Sequence, residues 1–401
     1  MATFGILVGG GPAPGINGVI GAAATLAHER GHRVIGILDG FQWIMEGDTD
    51  HVVELDSQAV ARIHLQGGSV LHTARANPTR KPEHLTNTVA SLRSLGVDHL
   101  ITIGGDDTAS SANRVAEEAA GSIAVVHVPK TIDNDLPLPA GIPTFGFETA
   151  REHATAVVER ILEDMRTTNR WFFIVMMGRS AGHLALGAGK AAGAPVVVIP
   201  EEFKKKPIST DDVVRVLEGA IVKRLSQGRP DGVAVIAEGI VEYFDPEDPI
   251  LQDVPRDEHG HIRLAEVPIA NVLRKAVAGS LAERGVKVTI GEKDVGYELR
   301  CGYPVAFDRD YTRDLGVGAV QTLLSGTSSC LITRQSAEIV DPATGKSRVR
   351  GVDVGSDSYA AALALQERVT DQDLEDADTL AAIAEAAGLS TDQAKERYAP
   401  Q

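Results

Sequence analysis

Residues 98–135 read DHLITIGGDDTASSANRVAEEAAGSIAVVHVPKTIDND, and this stretch decides the fold. An apolar run at 98–103 (DHLITI) meets a Gly-Gly-Asp-Asp-Thr turn, and a helical pattern continues to about Glu118. A second apolar run, SIAVVHV at 122–128, then meets Pro129-Lys130-Thr131-Ile132-Asp133-Asn134-Asp135. Strand, turn, helix, strand is the signature of a parallel βαβ unit. Reading outwards repeats it. Upstream, TFGILV at 3–8 enters a Gly/Pro turn, then the helix pattern GVIGAAATLAHERG, and RVIGIL at 33–38 returns as a strand. Downstream, WFFIVMM at 171–177 enters GRSAGH and an Ala/Gly-rich helix, APVVVI at 194–199 enters PEEF, and GVAVIAE at 232–238 is a further strand. These runs are continuous rather than alternating, which predicts sheets covered by helices on both faces. In such sheets ligands bind beyond the carboxyl ends of the strands, so the chemistry is expected in the loops just named.

Composition narrows the function. The chain has 401 residues, 39 Lys plus Arg against 55 Asp plus Glu, and a formal charge of −16. That balance gives no electrostatic footprint for nucleic acid and disfavours anionic membrane surfaces. Any phosphate ligand must sit in a local basic pocket. No apolar run approaches the roughly 18–20 residues that span a bilayer. The N-terminus MATFGILVGGGPAPG lacks the basic start of a signal peptide. Two cysteines, Cys301 and Cys330, are too few for a disulfide framework or zinc cluster. A cytoplasmic location is expected. The polar, Pro-rich stretch 244–263 reads as a surface loop. The Pro/Gly-rich stretch 136–146 is the best crossing point between domains, and the acidic helical pattern from about 368 reads as a peripheral addition.

Six strand-end loops carry candidate chemistry. Gly9-Gly10-Gly11-Pro12-Ala13-Pro14-Gly15 lies between strand and helix; it is either a plain tight turn or a cradle of backbone N–H groups for phosphate. In Gly104-Gly105-Asp106-Asp107-Thr108 the two acids are either helix caps or a hold for Mg²⁺ beside a phosphate chain. The segment 129–135 is the most specific, with a cation, a hydroxyl and two carboxylates in six residues. Phosphoryl transfer needs a carboxylate to take a hydroxyl proton and cations to neutralise the moving charge. Met177-Gly178-Arg179 (with Arg170 nine residues earlier), Pro200-Glu201-Glu202 and Gly296-Tyr297-Glu298-Leu299-Arg300 add Arg and Glu at successive strand ends, as a sugar phosphate would require. Two other patterns carry less. Gly345-Lys346-Ser347 ends like a Walker A loop, but Val340 stands where the first glycine is required. Gly187, Gly189 and Gly193 lie in an Ala-rich helix, where close packing explains them. The twelve histidines show no metal-ligand spacing.

The ordered series GGGPAPGIN, GGDDT, PKTIDND, MGR, PEE and GYELR resembles that of the phosphofructokinases, over about residues 5–315. The resemblance implies an α/β chain of two Rossmann-like three-layer αβα domains with mostly parallel sheets and an active site in the cleft between them. Residues 1–144, completed by part of 299–365, would bind the phosphoryl donor. Residues 145–298 would bind the sugar phosphate, and 366–401 would be an acidic helical extension. Asp107 and Lys130 stand where the ATP-dependent enzymes usually have glycine, and both resemble the pyrophosphate-dependent branch. A carboxylate at 107 would repel the α-phosphate of a nucleotide, while a lysine at 130 would add charge beside the transferred phosphoryl group.

At matching positions the resemblance implies Asp133 as general base, supported by Asp135, with Asp106 on Mg²⁺. Gly10, Gly11, Arg75, Asp107 and Lys130 would form the pyrophosphate site. Thr131, Met177, Gly178, Arg179, Glu201, Tyr297 and Arg300 would hold fructose 6-phosphate, and Lys130 and Arg179 would act on the transferred group. Arg170 would reach a neighbouring subunit's site, giving a homodimer or homotetramer. Three departures stand out. Tyr297 replaces the histidine usual in ATP-dependent members. Gly291 stands where a further 6-phosphate arginine is expected, with Lys287 or Lys293 as possible substitutes. His72 stands where the family usually has glycine. The alternatives are an ATP-dependent enzyme, an enzyme that also takes sedoheptulose 7-phosphate, and a non-catalytic sugar-phosphate sensor.

Overall fold

The structure is a computed structural model, described here for all residues except 137, 139, 140, 180, 246, 247, 249–266, 334–336, 340–349 and 401; for 337–339 only the backbone is described. The Gly345-Lys346-Ser347 run and most of the expected loop 244–263 lie outside the described residues. The chain forms two compact units: residues 1–150 with 297–350, and residues 151–296 with 351–401.

Among the described residues there are eleven strands: β1 (Thr3–Val8), β2 (Arg33–Ile37), β3 (Val52–Glu54), β4 (His99–Gly104), β5 (Ala124–Pro129), β6 (Trp171–Met176), β7 (Val196–Val198), β8 (Gly232–Ala237), β9 (Ile290–Val295), β10 (Cys330–Ile332) and β11 (Ala337–Ile339). The first unit holds a seven-stranded sheet in the order β11-β10-β5-β4-β1-β2-β3. Its β1, β2, β4, β5 and β10 pair in parallel, and β3 and β11 close the two edges antiparallel. The second unit holds an all-parallel four-stranded sheet, β7-β8-β6-β9.

Both faces of the larger sheet are covered, as the continuous apolar runs require. Phe4, Ile6 and Val8 pack on one face with helices Ile16–Glu29 and Ala306–Leu324. Leu7, Ile35 and Ile37 pack on the other with helices Pro82–Ser94 and Asp106–Ala119. Helices Ile16–Glu29 and Ala306–Leu324 touch backbone to backbone: a Cβ on Gly316 would come within 2.5 Å of the Val19 carbonyl. This close crossing seats the loop before the first helix. In the second unit an added Cβ on Gly189 would meet Val197 at 2.5 Å, so close packing accounts for Gly189, whereas Gly193 (φ 73°), with open space around it, ends helix His183–Ala192 as a left-handed cap.

The residues after 366 are not peripheral. Val369, Leu374, Ile383, Ala384, Ala387, Ala394 and Tyr398 are buried in the second unit's core with Trp171, Leu217 and Leu273. Their acidic faces disguised amphipathic helices whose apolar stripe is short and Ala-rich. Among the described residues no helix is long and apolar enough to cross a membrane.

Candidate active site

In the first unit, the loops after β1, β4 and β5 meet. The Gly9 N–H donates to the Ile103 carbonyl (2.8 Å) and the Gly10 N–H to the Ala74 carbonyl (2.9 Å). The Thr73 hydroxyl donates to the Gly10 carbonyl at 2.7 Å. Gly10 (φ 81°) and Gly15 (φ 101°) adopt the left-handed conformation that glycine alone takes freely. Gly15 caps helix Ile16–Glu29 without a side-chain bond, which leaves the helix N-terminus to other acceptors. A Cβ on Gly11 would collide with the Arg300 guanidinium.

Lys130 follows β5. Its N–H donates to the Gly104 carbonyl at 2.8 Å, its side chain is 5 % exposed, and its Nζ donates to the Gly11 carbonyl. Burial, and next the Arg300 charge, lower its pKa to about 8; Arg75 acts in the same direction, while Asp133 and Asp135 oppose. The structure thus brings Gly11, Arg75, Lys130, Asp133, Asp135 and Arg300 into one electrostatic neighbourhood. The guanidinium of Arg300 also lies 5.3 Å from the ring centre of Tyr297. The resemblance had pointed Arg300 at the sugar phosphate; here it stands beside the glycine loop.

Asp133 and Asp135 sit on a loop fixed through its backbone. Asp133 donates its N–H to the Thr131 hydroxyl (3.0 Å), and the Thr144 hydroxyl donates to the Thr131 carbonyl (2.8 Å). Buried Asn134, at φ 56°, accepts from the Thr144 N–H at 3.0 Å. The Arg350 N–H donates to the Asp135 carbonyl at 2.7 Å. Asp308, fully buried, anchors the loop's exit by accepting from Gly146 N–H (2.9 Å), Thr149 N–H (2.8 Å) and the Thr149 hydroxyl (2.5 Å). Asp106 and Asp107 are exposed in the first turn of helix Asp106–Ala119, where the positive end of the helix dipole favours them.

Sequence reading passed over His127. It is buried in β5 with its pKa lowered to about 4, chiefly by burial. Its Nε2 faces the Gly104 carbonyl (3.0 Å) and its Nδ1 the Thr102 hydroxyl (2.8 Å). A carbonyl only accepts, so the neutral ring carries its proton on Nε2. His127 and the Lys130 N–H therefore share one carbonyl and fix the two loops to each other.

In the second unit, Met177, Gly178 and Arg179 leave β6. The Gly178 N–H faces a Glu238 carboxylate oxygen at 3.4 Å, and Arg179 lies 3.6 Å from Glu242. A Cβ on Gly239 would strike the Gly178 and Arg179 carbonyls, so the two strand ends pass in contact. Burial raises the pKa of Glu238, and Asp294 and Glu242 add to this. Glu238 was also missed, although it is the last residue of the run GVAVIAE and so a carboxylate at a parallel strand's carboxyl end. Glu201 accepts the N–H groups of Gly182 and Val352, both at 2.9 Å.

Arg170 immediately precedes β6, at the opposite end from Met177–Arg179, about 20 Å away across six strand residues. It is exposed, and its Nε donates to the Thr168 hydroxyl. Gly291 is explained by packing, since a Cβ there would lie 2.5 Å from the Phe172 ring. Lys287 and Lys293 are exposed. His72 has φ 55°, which accounts for a glycine preference at that position, and its Nδ1 lies 3.2 Å from Asp39.

The family model "Phosphofructokinase" matches residues 3–323. The chain is 50% identical to the pyrophosphate–fructose 6-phosphate 1-phosphotransferase of Thermotoga maritima, over 98% of this chain and 97% of the relative. It is 47% identical to the protein of the same name from Naegleria fowleri, over 98% and 94%. In fold it is similar to the crystal structure of a pyrophosphate-dependent phosphofructokinase from Nitrosospira multiformis, with TM-score 0.70, 17% identity, and 89% of this chain and 87% of that chain covered.

Proposed function

The chain belongs to the phosphofructokinase family, and we propose that it transfers a phosphoryl group reversibly from pyrophosphate to the 1-hydroxyl of fructose 6-phosphate. The products are fructose 1,6-bisphosphate and phosphate. The observation that carries this reading is the buried Lys130 ammonium held at the Gly11 carbonyl with Arg300 and Arg75 nearby. Three cations around a glycine turn suit a compact, highly charged donor. Asp107, exposed one residue beyond Asp106, leaves a carboxylate where a nucleotide's α-phosphate would have to pass.

Pyrophosphate would lie against the Gly10–Gly11 turn and on Arg75 and Lys130, with the Gly10 N–H taken by the Ala74 carbonyl. Asp133 would take the proton of the attacking 1-hydroxyl, and Asp135 would keep that proton's acceptor oriented. The Lys130 charge would match the charge spread over the transferred group, so catalysis is mainly positioning and electrostatic stabilisation. The sugar would be held by Thr131, Met177, Gly178 and Arg179, with Tyr297 at the phosphate end and Glu238 accepting from a sugar hydroxyl. Arg300, which lies beside Gly11, would grip the 6-phosphate. Arg170, at the far end of β6, would serve a neighbouring subunit in a homodimer or homotetramer.

Among the described residues no group of three or more His, Cys, Asp or Glu is arranged around a metal position. Mg²⁺ keeps most of its waters and takes one or two carboxylates with the substrate phosphates, so a sparse set led by Asp106 fits it. When bound, it would supply charge neutralisation between the phosphates.

The test is turnover of fructose 6-phosphate with Mg²⁺ and either pyrophosphate or ATP as sole donor. Turnover with pyrophosphate is expected, together with pyrophosphate formation from fructose 1,6-bisphosphate and phosphate. Activity with ATP alone would overturn the donor assignment. Binding without turnover would favour a sensor. Sedoheptulose 7-phosphate in the same assay sets the acceptor range.

A further inference from the structure

We propose that Glu201 is a positioning residue that staples the sugar-binding loop to the C-terminal segment, so that residues 351–376 help set the affinity for the sugar phosphate. This rests on the reading of Met177–Arg179 as part of the sugar site.

The family resemblance implied Glu201 among the sugar ligands, at a strand's carboxyl end. Its geometry gives it another task. One oxygen, Oε1, accepts both the Gly182 N–H and the Val352 N–H, each at 2.9 Å. Gly182 closes the loop that begins at Met177 and caps helix His183–Ala192. Val352 opens the C-terminal segment. A single oxygen therefore joins residues 170 positions apart in sequence. Glycines make room on both sides. A Cβ on Gly182 would lie 2.9 Å from Glu201 Oε2 and nearer still to Ile199, and one on Gly351 would lie 3.4 Å from the Glu201 side chain. Among the described residues the second oxygen, Oε2, is buried without a hydrogen-bond partner. A buried acceptor left unpaired is costly, so the carboxylate is kept here for what Oε1 holds.

The segment that Glu201 grips is itself anchored. Glu202, the next residue, is bonded by both terminal nitrogens of Arg368 (3.1 and 2.9 Å) and by the Tyr359 hydroxyl (3.1 Å). β7 is the outer strand of its sheet. The Val197 N–H donates to Gln366 Oε1 at 3.0 Å, and the Val197 carbonyl accepts from Arg368. The Glu367 N–H donates to the Pro195 carbonyl at 2.7 Å, and Lys190 to the Ser358 carbonyl at 2.9 Å. Side chains of this segment thus cap the open edge of β7, as a further strand would. With the segment fixed at β7 and at Glu202, Glu201 transmits its position to Gly182 and so to the sugar loop.

The test uses the full chain and two variants. Glu201→Ala should raise KM for fructose 6-phosphate about tenfold, the scale of one or two lost hydrogen bonds, with KM for pyrophosphate within about twofold of wild type. Glu201→Gln should stay near wild type, because its amide oxygen still accepts from both N–H groups. Amide exchange supplies a readout independent of turnover. Fructose 6-phosphate should slow exchange at residues 181–183 and 351–353 together in the wild type, and Glu201→Ala should speed both without ligand. An unchanged KM in Glu201→Ala, a Gln variant as impaired as the Ala variant, or protection of 181–183 without 351–353 would each overturn the proposal. If Glu201→Ala fails to fold, the wild-type exchange decides. No turnover in the wild type would overturn the functional reading instead, and the ligand-free exchange comparison would still judge the staple.

Discussion

Replacing Lys130 with methionine separates what its charge does for the chemistry from what it costs the fold. Free lysine titrates near 10.5, whereas burial and the neighbouring Arg300 hold Lys130 at about 8. Between those values the unfolded chain binds more protons than the folded one, so this group makes stability rise with pH across that window. Below pH 8 the ammonium is charged in both states and its full cost is present. The gap from about 8 to 10.5, at about 1.4 kcal/mol per pH unit, comes to about 3 kcal/mol. Methionine keeps the packing of the stem and removes the charge. It also removes the donor to the Gly11 carbonyl, a loss of about 1–2 kcal/mol. Lys130→Met should therefore be about 1–2 kcal/mol more stable than wild type at pH 7, with the advantage fading towards pH 10. Urea unfolding at pH 7 and pH 9.5 measures this. Trp43 reports on the first unit once the chain's other tryptophan, Trp171, is replaced by phenylalanine in both proteins. The same variant should lose at least ~10³ in kcat/KM for pyrophosphate, because a buried charge aimed at the transferred group is missing. A variant less stable than wild type at pH 7, or a difference that does not change with pH, would refute the reasoning.

Three further outcomes follow from particular contacts. Asp133→Asn should lower kcat by about 10²–10⁴ with little change in KM, measured by initial rates; near-normal kcat would remove Asp133 as the base. Gly291→Arg should not restore a missing phosphate contact, because Phe172 fills the space a side chain needs; a loss of about 1–3 kcal/mol and an unimproved KM for fructose 6-phosphate are expected. Arg368→Met should destabilise the second unit by about 3–5 kcal/mol at neutral pH, since it leaves the buried Glu202 carboxylate without its counter-charge and with only the Tyr359 hydroxyl as a described donor. Burial raises the Glu202 pKa, so its charged form is penalised at pH above the folded value and protonation relieves the penalty as pH falls. The loss should accordingly shrink by pH 5, as thermal denaturation across pH would show.

The seven strands read from apolar runs are all present, because a strand buried on both faces announces itself by composition alone. Those not read were short or polar. β3, β10 and β11 have three residues each, and β9, IGEKDV, lies at a sheet edge with Lys293 and Asp294 exposed. A parallel partner on one side was enough to make it a strand. His127 was passed over for a similar reason: inside a valine-rich run, nothing in the sequence says that its ring meets Thr102 on one side and the Gly104 carbonyl on the other.

By itself the sequence determined the alternation of strand and helix, the strand-end loops, and the ordered motifs that mark the family. These are local properties, written in consecutive residues. Only the tertiary structure decided that Arg300 stands against Gly11 and Lys130, that Phe172 excludes a side chain at 291, that Glu201 is occupied by Gly182 and Val352, and that the acidic tail supplies core. These pairings join residues from about 20 to 290 positions apart. Such pairings are set by how buried faces and unpaired polar groups find partners in the packed chain, and no run of neighbouring residues records them.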